Sequence, residues 1–126
     1  MLEDAYGNIL GTQSSDARDA YDLGVHRFLG AEPQVINCFE TAIAAVDGFA
    51  LAHVGLAREM QLRARPDQVK ASLARARELA SGSSARERSH IHISGLLLEG
   101  KSAEARKAVY EHVDDWPMDV MVAQMC

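Results

Sequence analysis

A three-residue pattern returns along this chain at a nearly fixed interval. Val35, Phe39 and Ala42 recur 34 residues later as Val69, Leu73 and Ala76, and 36 residues further on as Ala105, Val109 and His112. Spacings of four and three place each triplet on one face of a helix. A period near 34 residues with helical spacing inside it belongs to helix–turn–helix units, each burying its apolar face against its neighbours in a stack. The pattern therefore predicts an all-α protein of paired antiparallel helices.

Turn chemistry divides the chain to match. Residues 1–13 hold Gly7, Asn8 and Gly11 and no periodic run, and read as an irregular lead-in; the helical domain is expected over 14–126. Ser14 or Ser15 caps a first helix that ends at Gly30. Pro33 suits the first position of a second helix running to about Val46, because its missing N–H costs nothing there. A third helix is predicted over roughly 49–63 and a fourth from Pro66. Ser81-Gly82-Ser83-Ser84 is a loop, and Ser84 with Glu87 has capping-box spacing for a fifth helix. Gly100 turns the chain into a sixth helix over 102–114, and Pro117 opens a short apolar tail. Alanine and glycine allow paired helices to approach closely, while Phe39 and Leu73 fill the space between pairs. No run of alternating β-branched residues competes.

These units form a tetratricopeptide-repeat-like α-solenoid of about three antiparallel helix pairs plus the start of a further helix. The chain also resembles one branch of that superfamily, the tetratricopeptide repeat protein 38-like family. The stretches that carry the likeness are GNILGTQSSDA, AIAAVDGFALAHVGLA, ARERSHI and EGKSAEARKAVYEHVDDWPMDVMVA. Arg86-Glu87-x-x-His90, the Gly100 turn and Pro117-x-Asp119 are the more distinctive parts. Members of the family run to several hundred residues, so the resemblance implies the N-terminal part of such a protein or a shortened relative. It implies a fold and a binding role, and no reaction. His112 departs from the general repeat pattern, in which alanine is commonest at that place.

Composition excludes several classes. Among 126 residues, 18 are acidic and 13 basic, giving a formal net charge of −5, against the clustered positive charge that nucleic acid requires. The N-terminus lacks the basic and apolar regions of a signal peptide, and no stretch approaches the roughly 18 apolar residues of a membrane span. A soluble cytoplasmic protein with no nucleic-acid or membrane partner is expected. Two cysteines, Cys38 and Cys126, form no disulfide framework, and Cys38 reads as a buried filler.

Chemistry is sparse. Glu87 and His90 have the i,i+3 spacing of a di-iron bundle, but no second copy exists. His90 and His92, two apart on a helix, point about 200° from one another and cannot share an ion. No nucleophile elbow is present, and Gly100-Lys101-Ser102 lacks the rest of a phosphate loop. Neither catalytic residues nor a metal or other cofactor is expected.

The remaining function is binding. The repeat frame puts Leu51, Val54, Arg58 and Gln61 of the third helix on a concave groove, with Glu87, His90, Ser94 and Leu97 of the fifth, a mixture able to hold a peptide. Met118, Val120, Met121, Val122 and Met125 read as the opening of a further repeat whose apolar face lacks a successor, and so as a surface for self-association. The expected role is a non-catalytic protein–protein interaction or scaffold module. The alternative is the helical N-terminal part of a larger enzyme or regulatory protein.

Overall fold

Ser14 converts the lead-in into the first helix. Its hydroxyl accepts the Ala17 N–H at 3.1 Å, satisfying one of the amides that a helix start leaves open, and α1 follows as Ser15–Leu29. The computed structural model describes residues 1–126. It is all-α: α2 is Val35–Ala45, α3 Ala50–Leu62, α4 Pro66–Leu79, α5 Ala85–Leu98, α6 Ser102–Asp115 and α7 Val120–Ala123. No helix is long and apolar enough to cross a membrane.

Pro66 takes the first position of α4, and Ser84 and Glu87 close both halves of the capping box on α5, as their spacing predicts. The start of α2 differs. Pro33 lies in the connection, not in the helix, because Ala31 and Gln34 both adopt left-handed backbone, with φ of 52° and 75°. A left-handed residue cannot continue a right-handed turn, so the helix begins after it.

Each helix packs on the next, and α1 also touches α3, α3 touches α5, and α5 touches α7. Helix α3 consequently lies among four others, and every residue from Ala50 to Met60 is buried. Close approach depends on two glycines. The Phe39 ring of α2 lies against Gly24 of α1 and Gly55 of α3, where a Cβ would come within 2.8 and 2.5 Å of the ring. Tyr21 packs on Phe39 and Phe49 with ring centroids 5.9 and 5.0 Å apart, in the range of favourable aromatic pairs. Cys38 is buried in the same region and Cys126 is exposed. A smaller cluster of Ile93, Val109 and Val122 joins α5, α6 and α7.

Two of the turns are conformational copies. Val46 and Phe49, before α3, have φ,ψ of −144°,99° and −81°,92°; Trp116 and Asp119, before α7, have −132°,73° and −79°,81°. The Phe49 N–H donates to Val46 O at 3.1 Å, and the Asp119 N–H to Trp116 O at 3.2 Å. Between α4 and α5 the turn is longer, with a 3₁₀ segment at Ala80–Gly82. That insertion delays the third triplet.

The lead-in is anchored. Glu3 and Ile9 form an isolated antiparallel bridge, Leu10 and Thr12 are buried, and the Asn8 side-chain amide donates to Met118 O at 2.9 Å.

Candidate functional site

The surface expected as a concave groove is filled by the chain itself. Leu51, Val54, Arg58, Glu87, His90 and Ser94 are all buried, and of the expected groove residues only Gln61 is exposed; Leu97 is half-buried. Two segments account for this. From the lead-in, the Gly11 N–H donates to Glu87 Oε2 at 3.0 Å, and Ile9 O accepts from Arg86 at 3.1 Å. From the tail, Met121 O accepts from Arg58 Nη1 at 2.5 Å and Gln124 Oε1 from Nη2 at 2.7 Å. The Arg58 guanidinium also lies 4.9 Å from the centre of the Phe28 ring, a cation–π contact. Burial pushes the Arg58 guanidinium down to about 10, opposed by the fields of Tyr21 and Asp119, so it stays charged at neutral pH. Ser94 Oγ is buried without a hydrogen-bond partner.

The tail departs from expectation for the same reason. Met121 joins the main core, and Val122 packs on Ile93 and Val109 with Met125 beside it. Val120 and Met125 are half-buried, which leaves Met118 as the exposed apolar side chain of the five, at 52%.

An ion cluster lies beneath the tail. Asp119 Oδ2 accepts from Arg86 Nη1 at 2.9 Å, from His90 Nδ1 at 3.1 Å and from His112 Nε2 at 2.9 Å, and all four residues are buried. Burial acts to raise the Asp119 carboxyl, but His90, His112 and Arg86 more than reverse it and hold the group far below the usual carboxylate range. Two histidines and a carboxylate would suit a metal ion, yet Arg86 supplies the positive charge on the shared oxygen. His92 is exposed and faces away from His90, as their spacing predicts. Glu87 serves as capping partner and as acceptor for the lead-in.

An open cleft of about 970 Å³ lies elsewhere, between α4 and the C-terminal ends of α3 and α5. Its floor is Leu73 with Val69, Pro66 and Leu98, and its rim carries Arg65, Lys70, Arg77, Glu78 and Glu99. Gln61 borders it, the one residue shared with the expected groove. Arg77 is positioned at the rim by two neighbours. Gly95 leaves room for Arg77, whose Nη2 would lie 2.5 Å from any Cβ at that position. Arg77 is then fixed by paired bonds of 3.0 and 2.8 Å to Glu99. Arg75 bonds Glu78 at 3.2 Å and Asp47 at 2.6 Å. Both rim carboxylates thus have cationic partners within the chain, whereas Arg65 and Lys70 make no ion pair.

Sequence reasoning missed both features. The spacing of Arg86 and His90 places them on one face of α5, but Asp119 lies a helix pair away in the chain. The cleft lies between α4 and the ends of α3 and α5, a juxtaposition of helices that no local pattern records. Protein-family models, characterised proteins and solved structures give no match to this chain.

Proposed function

We propose that the chain is a non-catalytic protein–protein interaction module of tetratricopeptide-like helix pairs, and that it takes an acidic peptide with apolar anchors in the cleft beside α4. The repeat reading rests on the recurring triplet, the copied turns before α3 and α7, and the contacts linking α1, α3, α5 and α7 in order. The binding reading rests on the cleft itself, which has an apolar floor and two unpaired cations in a chain of net charge −5. Apolar side chains on Leu73, Val69 and Leu98 would supply affinity by burial, and Arg65 and Lys70 would select acidic neighbours. Met118 is a small apolar contribution beside the roughly 800 Å² per partner that a stable homodimer needs, so self-association carries less of this reading than the cleft does.

Selection from a random peptide display library tests it. The intact chain should enrich sequences with spaced leucines among Asp and Glu. Reversing both cations (Arg65→Glu with Lys70→Glu) should weaken the selected peptides about 5–30-fold, the equivalent of roughly 1–2 kcal/mol for two exposed charges. Enrichment of neutral or basic peptides, or equal binding by the double variant, would remove the cleft as the site.

A further inference from the structure

A second, smaller cavity of about 260 Å³ opens between α5 and α6, lined by Ser89, His92, Ile93, Glu111, His112 and Trp116 among others. Ser89 is half-buried at its wall, with Oγ 2.7 Å from Nδ1 of His112. The far side of the same ring places Nε2 2.9 Å from Asp119 Oδ2. Asp119, ionised, only accepts, so the proton of the neutral imidazole resides on Nε2. Nδ1 is then left as an acceptor, and the Ser89 hydroxyl donates to it. A serine hydrogen-bonded to an imidazole that a buried carboxylate orients is the arrangement that activates a hydroxyl for attack.

Packing fixes this relay. The His112 side chain is fully buried, and its ring lies against Trp116 with centroids 4.9 Å apart. Asp119 is held by Arg86 and His90 as well. Ser89, in contrast, is half-buried and lines the cavity.

We propose that, beside the binding role of the α4 cleft, Ser89 is a stoichiometric acyl acceptor that is itself modified rather than turning substrate over, with His112 as the base that takes its proton and Asp119 as a positioning residue, toward short-chain activated esters or thioesters. The cavity is below the roughly 300–1,000 Å³ of sites for drug-sized ligands, which limits the acyl group to a few carbons. In the step, Ser89 Oγ bonds to the acyl carbon as its proton passes to His112 Nδ1. The ester carbon–oxygen or carbon–sulfur bond then breaks, and His112 returns the proton to the departing alcohol or thiol. An O-acyl serine and a free leaving group result, with no oxidant or reductant consumed. Among the lining residues, His92 and Trp116 have side-chain N–H groups, and the backbone amide of Ser89 is committed within α5. Each preorganised oxyanion donor is worth about 10²–10³ in rate, so the site should accept an acyl group stoichiometrically and release it slowly.

The test uses the intact chain with p-nitrophenyl acetate, read by intact mass and by peptide mapping. The expected result is one acetyl group, located on Ser89, added on the order of 10²-fold faster than to any other serine, the usual contribution of a positioned base. Ser89→Ala, checked for retained helix by circular dichroism, should lose that modification, and Ser89→Cys should regain it. Absence of an adduct on wild-type Ser89, or acetylation spread over serines and lysines at similar rates, would overturn the proposal. So would a His112→Asn variant that keeps its helical spectrum and acetylates Ser89 at the wild-type rate.

Discussion

Asp119 stands, in the turn before α7, where Phe49 stands in the turn before α3. At the earlier place a ring packs on Tyr21; at the later one a carboxylate collects Arg86, His90 and His112. Taking these charges out of water is costly, and their mutual attraction returns little net stability, but removal of one member leaves the others buried and unpaired. Asp119→Asn should therefore destabilise the fold by about 3–5 kcal/mol, read by urea denaturation at pH 7. The folded carboxyl lies below its unfolded value, so its stabilisation is complete above the unfolded value, roughly 3.9, and falls away at lower pH. The difference between wild type and Asp119→Asn should accordingly shrink between pH 7 and pH 3. An unchanged difference would mean that the Asp119 charge is not what holds the cluster.

At the scale of elements, the helices are written locally and their partners are not. Ser14, Pro66 and the Ser84–Glu87 box act within one turn, which is why the ends they set are readable from sequence. Pro33 misleads because the left-handed backbone at Gln34, one residue on, decides where α2 begins. The burial of Leu51, Val54 and Ser94 is not local either: helical spacing places each on a face of its helix but carries no record of what packs against that face. The small-residue pattern, by contrast, maps directly onto contact. Gly55→Ala would push a methyl into the Phe39 ring, which is already in close contact with Gly24. Overpacking of this kind costs about 1–3 kcal/mol, and the melting temperature should fall. A variant at least as stable as wild type would show that Phe39 can move aside.

In the whole molecule, the contacts that hold the ends of the chain and the open cleft lie on different surfaces. The lead-in and the tail serve cohesion: Arg58 and the Asp119 cluster tie the tail to α3, α5 and α6, and Glu87 and Arg86 tie in the lead-in. The surface beside α4 keeps an apolar floor and two unpaired cations. The recurring triplet places a buried face on α2, α4 and α6; which surface of the molecule remains open depends also on the lead-in and the tail. The most direct test is a backbone amide NMR titration of the isotope-labelled chain with an acidic helical peptide bearing leucines at i, i+3 and i+7. The account predicts shifts concentrated at Val69, Lys70, Leu73 and Leu98, with Leu51, Val54 and Ser94 unmoved. Shifts centred on those three inner residues, or none at millimolar peptide, would contradict it.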